Sequence, residues 1–406
     1  MTESDQVMDC TPALRNRTPR RRLLALALAV VVALALTSAC SSGTGASDDS
    51  GPLKVGILWP FNGAYSNYGP DGLAGTQLAL QEAGMKVSGR TIELVKGSED
   101  VLDPANTLRE AKRLVQQEGV TIMIGPVFGS SQQAVAAYFK TTNVMAFVPF
   151  GNTKELAGRG NFIGWPTLDT SFSTPLGGYM ADQLHYKSIA TLAPDYVYGH
   201  NVLVGATQTF TQAGGKVVQQ QWVPLGTTDL LPYASNLDRN ADALVMWLVP
   251  QDAASFVKSF RSLGIKMPII FVNGVFDPTF QSMGSDIVDS LGIVDWSAGL
   301  TNAANKTFAA DFAKANKGQV PNNQNAAAYV DTKLALATIE KAGGSTSFEE
   351  LKKAVTQVKL DTPYGPGHID ENFLGVTSRT IVKAVHQGSR YVWEPVKTFD
   401  NVPNEL

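Results

Sequence analysis

The chain has 406 residues, in which 33 lysines and arginines stand against 36 aspartates and glutamates, for a net charge of −3. This balance excludes the strongly basic surface with which proteins hold nucleic acid, so we expect no nucleic-acid partner. The length exceeds what one hydrophobic core usually serves, and it predicts two domains.

The first 39 residues have the three parts of a secretory signal peptide. Arginines at positions 20–22 precede an apolar run over residues 23–36, and small residues fill positions 37–39. At ~1.5 Å per residue this run spans about 21 Å as a helix, which is short of the ~30 Å hydrocarbon core of a membrane. We therefore expect export and cleavage rather than a transmembrane helix.

The stretch LTSAC ends at Cys40 and resembles a bacterial lipobox, whose cysteine receives a diacylglyceryl group. The alternative is ordinary cleavage that leaves Cys40 as an unpaired thiol. Cys10, the other cysteine, lies in the segment that would be removed, so the mature chain has no disulfide. We predict an extracytoplasmic protein that is lipid-anchored to the outer face of the cell membrane.

Residues 40–52 include SSGTGASDDSG, which is too polar to fold and predicts a flexible tether behind the lipid. From Leu53 onward, apolar strands alternate with amphipathic helices, a pattern typical of doubly wound parallel sheets. Strands are predicted at 53–59, 91–97, 120–125, 144–150, 188–194, 216–223, 242–249 and 267–273, with a final pair around 379–395. Helices are predicted at 71–84, 103–119, 130–142, 171–186, 199–214, 251–264 and 323–344.

Catalytic motifs are scarce. The chain has no nucleophile elbow, phosphate loop, dinucleotide turn or HExxH, and its four histidines are far apart in sequence. Ser255 and Lys258 fit the S-x-x-K of serine acyl enzymes, but the companion SDN and KTG elements are absent. Those two residues are better explained as one solvated helix face. We expect no enzyme, no metal and no cofactor.

Aromatic and polar residues gather where predicted strands end, in WPFNGAYSNYG, GPVFGSS, PFGNT and DYVYG. Ligands of open α/β sheets bind at this edge, because strand ends and helix N-termini converge there. A single aromatic residue at such a position is most simply explained by packing beneath a loop. Their recurrence after several strands favours a cleft lined by aromatic side chains.

The segment LKVGILWPFNGAYSNYGPDGLAG resembles the opening of type I periplasmic solute-binding proteins of the branched-chain amino-acid transporter class. The likeness continues through EGVTIMIGPVFGSS, VPFGNTKELAGRGNF, DYVYG and DTPYGPGHID, and it covers residues 53–390. It implies an α/β fold of two Rossmann-like lobes, with parallel sheets flanked by helices and joined by hinge strands. It also implies a monomeric receptor that closes on a small organic ligand and serves the permease of an ABC importer. The alternative is a ligand-sensing receptor domain for a membrane signalling partner.

The same resemblance divides the chain between two lobes. Residues 53–168 and 297–378 would form the first lobe, and residues 169–296 and 379–406 the second. The chain would then cross between the lobes near residues 169, 297 and 379.

Aligned with the family's ligand-contacting positions, Tyr68 and Tyr198 match two tyrosines. Gly129 stands where amino-acid receptors place a serine, Asn152 where they place a threonine, and Asn273 where a glutamate holds the ligand's ammonium group. A buried ammonium needs a carboxylate partner, so Asn273 argues against an ordinary α-amino acid. The ligand-binding residues that we predict are Tyr68, Phe128, Gly129, Ser130, Ser131, Phe150, Gly151, Asn152, Tyr198 and Asn273.

Replacing the lipidated cysteine tests the anchor. Cys40→Ala should move the protein from the membrane to the soluble fraction, measured by cell fractionation and immunoblotting, because the thiol that carries the lipid is gone. Cys10→Ala is the matched control and should leave the distribution unchanged. Retention of the Cys40→Ala protein on membranes would favour an uncleaved anchor.

Overall fold

The computed structural model describes residues 51–150, 153–165, 168–275 and 279–404. The predicted signal peptide, Cys40, the tether as far as residue 50, and the candidate ligand residues Gly151 and Asn152 lie outside the described residues.

The first half of the chain builds a sheet from short apolar strands that are buried on both faces. Its strand order is β2-β3-β1-β4-β5-β6, with every neighbouring pair parallel except the antiparallel β2–β3 pair. We call this sheet and the helices packed on it lobe 1. The elements are β1 (Leu53–Trp59), α1 (Tyr68–Glu82), β2 (Lys86–Val87), β3 (Arg90–Ser98), α2 (Pro104–Gln116), β4 (Ile122–Ile124), α3 (Gly129–Thr142), β5 (Met145–Val148) and β6 (Phe162–Gly164).

A second sheet follows in the same pattern, and we call it and its helices lobe 2. Strands β8, β7, β9, β10 and β11 are neighbours in that order and all parallel. The elements are α4 (Thr174–Asp182), β7 (Ser188–Pro194), α5 (Val197–Val202), α6 (Val204–Gln212), β8 (Lys216–Val223), α7 (Leu231–Ser235), β9 (Ala243–Met246), α8 (Pro250–Ser262), β10 (Ile269–Val272), α9 (Thr279–Ser282) and β11 (Leu291–Val294), with 3-10 turns at Asp169–Ser171 and Gly284–Ile287.

Two helix predictions in lobe 2 were wrong in detail. The segment predicted as one helix over 171–186 is a 3-10 turn followed by α4, and the helix predicted over 199–214 breaks at Leu203. The Ser173 hydroxyl causes the break, because it donates to the Val202 carbonyl at 2.6 Å and accepts from the Ala206 N–H at 2.9 Å. These are the two backbone groups that an unbroken helix would join to each other.

The last third of the chain serves both lobes. Its elements are α10 (Ala303–Ala315), α11 (Asn323–Lys341), α12 (Phe348–Val355), β12 (Lys359–Thr362), β13 (Gly365–Ile369), β14 (Gly375–Gln387) and β15 (Arg390–Val402). Helix α11 packs along α1 in the core of lobe 1, whereas the β14–β15 hairpin extends the sheet of lobe 2 through antiparallel pairing with β11. The doubly wound, two-lobed α/β fold is therefore confirmed.

A buried polar cluster surrounds Arg379, close to one of the predicted crossings between the lobes. The Arg379 guanidinium donates to Thr377 Oγ1 at 2.8 Å and lies 4.7 Å from the ring centre of Phe172. Burial raises the pKa of the Asp295 carboxyl, and the nearby Arg379 opposes that shift. The exact crossing points near residues 169, 297 and 379 remain a prediction.

The contact between α1 and α11 is tight enough to test by mutation. A Cβ added at Gly75 in α1 would stand 2.1 Å from the Asn325 carbonyl oxygen in α11, so Gly75→Ala should force the helices apart. We expect the free energy of unfolding to fall by about 1–3 kcal/mol, measured by urea denaturation.

Gly178→Ala in α4 is the matched control, because its new Cβ would meet its nearest neighbour, Asp182 Oδ2, at 4.0 Å. Better helix propensity should raise the stability of this variant by about 0.5–1 kcal/mol. Equal effects of the two substitutions would contradict the packing at Gly75.

Candidate functional site

A cleft opens between the two lobes, at the carboxyl ends of their parallel strands. About 500 Å³ of space in and before it is not filled by atoms, with the solvent at its mouth included. Both sheets and helix α11 contribute to its walls. The lining residues are Tyr68, Val127, Phe128, Gly129, Phe150, Tyr196, Tyr198, Trp247, Leu248, Pro250, Asn273, Gly274, Asn323 and Gln324.

Aromatic rings from both lobes meet in this cleft. In lobe 1, Tyr68 stacks on Phe128 with ring centres 5.8 Å apart and planes 12° apart. In lobe 2, Trp247 meets Tyr198 edge to face at 4.8 Å. The two groups touch across the cleft, where Phe128 lies 6.3 Å from Tyr196. Flat apolar walls of this kind fit a planar, hydrophobic ligand.

The amino end of α3 faces the same space. Phe128 precedes the helix with extended backbone and makes no side-chain cap, so the first N–H groups of α3 are not capped by that residue. Gly129, which begins the helix, lines the cleft. The Gln132 side chain holds the site together, because it donates to the carbonyls of Pro126 and Phe150 in two neighbouring loops.

A buried carboxyl group supports the loop before α3. Glu99 follows β3 and accepts the Val127 N–H at 2.7 Å and the Phe128 N–H at 3.4 Å. Burial raises the pKa of Glu99 to about 8, although these N–H groups and the Ser131 hydroxyl act in the opposite direction. The Ser131 hydroxyl also lies 3.5 Å from Thr107 Oγ1, beneath the cleft rather than in it.

Amide and phenol groups form a hydrogen-bonded chain in the wall of the cleft. Asn273 Nδ2 donates to Tyr198 Oη at 3.0 Å, and Asn323 Nδ2 donates to Asn273 Oδ1 at 3.2 Å. Behind them, the Tyr364 hydroxyl donates to Asn323 Oδ1 at 3.5 Å. Asn273 follows β10 in left-handed backbone with φ +51, a conformation that asparagine tolerates better than most residues. The chain joins the lobes, since Asn273 lies in lobe 2 and Asn323 begins α11.

The lining is uncharged: among the described residues, no lysine, arginine, aspartate or glutamate contributes to it. The Tyr68 hydroxyl is hydrogen-bonded to the Gln324 side chain, and burial raises the pKa of Tyr68. Asp252 in the first turn of α8 lies near Tyr65 and Tyr68, and burial raises its pKa to about 6. The cleft thus offers rings, amides, phenols and backbone N–H groups.

The structure brings Tyr68, Phe128, Gly129, Phe150, Tyr198 and Asn273 of the predicted set into this cleft. The side chains of two predicted residues do not line it, since Ser130 lies beyond Gly129 on the helix and Ser131 turns toward Thr107 and Glu99. Gly151 and Asn152 are outside the described residues. That the lining residues bind a ligand stays a prediction.

Sequence reasoning missed part of the lining. Tyr196 stands in the quoted DYVYG, and Trp247 directly follows a predicted strand, so the strand-end rule could have found both. Asn323 and Gln324 begin a helix far along the chain, and no local pattern links them to this site. They reach it because α11 packs back onto lobe 1.

Within the described ranges, no group of three or more histidine, cysteine, aspartate or glutamate side chains is arranged to hold a metal ion. The helices of those same ranges include none with the length and apolar character needed to cross a bilayer.

The raised pKa of Glu99 predicts a pH dependence of stability. The folded chain keeps this proton up to about pH 8, whereas an unfolded glutamate releases it near pH ~4.3. Through this group the free energy of unfolding should therefore fall as pH rises from about 5 to 8, by at most ~1.4 kcal/mol per pH unit. Glu99→Gln cannot ionise, so the variant should gain stability relative to wild type across that window in urea denaturation.

The exposed Glu155 provides the control, since Glu155→Gln removes a carboxylate from the surface. Its stability should run parallel to that of wild type over the same pH range. Parallel curves for Glu99→Gln and wild type would contradict a buried, protonated Glu99.

Known proteins of this architecture align with this chain over most of its length. Leu/Ile/Val-binding protein homolog 6 of Brucella suis is 26% identical over 359 residues, which cover 86% of this chain and 92% of that protein. A solute-binding protein of an ABC transporter from Rhodopseudomonas palustris BisB5, solved with 3,4-dihydroxybenzoic acid, is 26% identical with a TM-score of 0.81, covering 87% of this chain and 98% of its own. Another from R. palustris, solved with 4-hydroxybenzoate, is 25% identical with a TM-score of 0.80 and the same coverage.

The family model described as periplasmic binding protein matches residues 52–388. This match takes in both lobes, the cleft between them and helix α11. The chain therefore belongs to the periplasmic binding protein family of extracytoplasmic solute-binding proteins.

Proposed function

We propose that this receptor captures a small aromatic or apolar organic acid in its cleft and delivers it to the permease of an ABC importer. The observation that carries the proposal is the composition of the cleft wall, in which rings from both lobes surround an uncharged space beside the amino end of α3. Receptors of this architecture work by closing two lobes around a ligand.

The body of the ligand would lie among the rings of Tyr68, Phe128, Phe150 and Tyr198. Each favourable ring pair is worth up to ~1.5 kcal/mol beyond the burial of apolar area. The phenol and amide groups of the wall would give the ligand a fixed orientation.

The anionic end would bind at the start of α3. Gly129, the first residue of α3, lines the cleft, and the helix dipole at this amino end favours negative charge. Glu99 lies beneath this loop with its carboxyl protonated near neutral pH, so it does not oppose an anion. This combination suits a carboxylate, although the described part of the lining has no arginine or lysine.

An ordinary α-amino acid fits less well. Its ammonium group would need a carboxylate partner in the closed cleft, and the described lining offers Asn273 in the expected place. The two R. palustris receptors solved with hydroxybenzoates support an aromatic acid as the ligand class.

The cellular setting is part of the same proposal. Lipid on Cys40 would hold the receptor at the outer face of the membrane, and the 40–52 segment would let it reach the permease. The protein would act as a monomer with no catalytic turnover of its ligand, and its lobes would pivot near residues 169, 297 and 379.

Calorimetry with paired ligands tests the ligand class. Benzoate, 4-hydroxybenzoate and 3-phenylpropanoate carry a carboxylate without an α-ammonium, and leucine, valine and phenylalanine carry both. We expect at least one member of the first set to bind tenfold or more tightly than every member of the second, because the described lining has no carboxylate to pair with the ammonium. Micromolar binding of leucine or valine, with weaker binding of their deaminated analogues, would restore an amino-acid receptor.

Phe128→Ala should weaken binding of the preferred acid by about 10–100-fold, since it removes a stacked ring and its buried area. Phe399→Ala removes a ring on β15 outside the cleft and should leave the affinity unchanged.

A further inference from the structure

We propose that Asn404, two residues beyond the end of β15, acts as a strap that ties lobe 2 to lobe 1 beside the hinge and stabilises the closed arrangement of the lobes. The proposal rests on the pivoting of the lobes proposed above and is independent of what the cleft binds. It is carried by the juxtaposition, at one amide side chain, of three segments of the chain: residues 165–172, residues 370–375 and the end of β15.

Two of these segments lead from the core of one lobe to the core of the other. Trp165 is part of the lobe 1 core and Phe172 part of the lobe 2 core, so the chain runs between them past Leu168. Ile369, at the end of β13, belongs to the lobe 1 core. Strand β14 pairs with β13 at its first two residues and with β11 of lobe 2 from Thr380 onward. Asn404 therefore lies where the chain passes between the lobes.

The Asn404 amide uses its oxygen and its nitrogen on these segments. Its Oδ1 accepts the Leu168 N–H at 2.7 Å. Its Nδ2 donates to Asp370 Oδ2 at 2.9 Å and to the Gly375 carbonyl at 3.2 Å, which engages both N–H groups of the amide. The bond to the Asp370 carboxylate is charge-assisted and is the strongest of the three.

The partners of this strap belong to different lobes. Asp370 Oδ1 accepts two backbone N–H groups of its own turn, at 2.8 and 3.0 Å. That turn is fixed to lobe 1, because the Gly164 N–H in β6 donates to the Phe373 carbonyl at 3.2 Å and the Phe373 side chain is buried in the lobe 1 core. Asn404, by contrast, follows a strand that pairs with β14 and whose Trp393 is buried in the core of lobe 2.

The strap favours the closed arrangement of the lobes. In this structure the lobes touch across the cleft, where Phe128 lies 6.3 Å from Tyr196, and all three bonds of Asn404 are made. Pivoting of lobe 2 away from lobe 1 moves the end of β15 relative to the Asp370 turn. A hydrogen bond is lost once its heavy atoms are more than about 3.5 Å apart, so the open arrangement lacks this stabilisation. Removing the strap then shifts the equilibrium toward the open arrangement.

Spin labels on the two sides of the cleft mouth measure the opening. Leu102→Cys and Thr228→Cys place them at exposed positions that follow the carboxyl ends of β3 in lobe 1 and β8 in lobe 2. The parent chain for this experiment has Cys10 and Cys40 replaced by alanine. Double electron–electron resonance on the ligand-free protein gives the distribution of distances between the labels, and the parent should show a closed population.

Asn404→Ala should shift this distribution toward longer distances. Asn404→Asp should shift it further, because it sets a second carboxylate against Asp370. In the double variant Asp370→Asn with Asn404→Asp, donor and acceptor are exchanged, so the link forms in reverse and the distribution should return toward that of the parent. Asn316→Ala is the matched control, because Asn316 is half-buried like Asn404 and its amide donates to the Phe312 carbonyl within α10. It should leave the distances unchanged, whatever its effect on the free energy of unfolding.

The same shift should lower ligand affinity. With 4-hydroxybenzoate as the probe in calorimetry, Asn404→Ala should bind about three- to tenfold more weakly than wild type, because less of the free protein is closed. A ligand-free parent without a closed population, an unchanged distribution in Asn404→Ala, or a double variant as open as Asn404→Asp would overturn the strap. Failure of wild type to bind 4-hydroxybenzoate would count against the proposed ligand class, and the distance measurement would still decide on the strap.

Discussion

The packing of α11 against α1 is the contact on which the rest of the receptor depends. Asn325 Nδ2 donates to the Asp71 carbonyl at 2.9 Å, the Asn322 amide donates to the Asp71 carboxylate at 2.8 Å, and Gly75 lets the helix backbones approach. Helix α1 begins at Tyr68 and α11 begins at Asn323, so both bring a cleft residue at their first position. One helix pair thereby fixes the lobe 1 core and part of the binding surface together.

Several buried ionisable side chains lie behind the residues that line the cleft. Glu99 lies under the loop before α3, and Asp295 and Arg379 lie close to the predicted crossings between the lobes, all of them buried. Burial also raises the pKa of Asp331, which lies farther along α11. The described groups that line the cleft carry no charged side chain, and the ionisable groups lie beneath them. Such a layout separates recognition, which needs matched hydrogen bonds, from the structural role of holding the loops in place.

Much of the fold could be predicted from sequence because it is determined locally. Strands β1, β7 and β8 have the predicted bounds, because each is a short strand pattern that depends only on its own residues. The start of α2 was also predicted, because Asp103 caps the Asn106 N–H and Pro104 opens the helix. The break at Leu203 was not, because a serine thirty residues earlier causes it. The site divides in a similar way. Several rings at strand ends, such as Phe128 and Tyr198, were predicted, whereas Asn323, which reaches the site by long-range packing, was not.

The left-handed backbone of Asn273 limits how this family member can diversify. At φ +51 most side chains with a branched or bulky Cβ are strained, so glycine, asparagine and aspartate are the residues that fit without moving β10. Of these, aspartate differs from asparagine by one group of nearly the same size and would return a carboxylate to the cleft. At this backbone position a side chain suited to a neutral ligand group and one suited to a cationic ligand group therefore differ by a single substitution. A receptor for acids and a receptor for amino acids can be neighbours in sequence space on an unchanged scaffold.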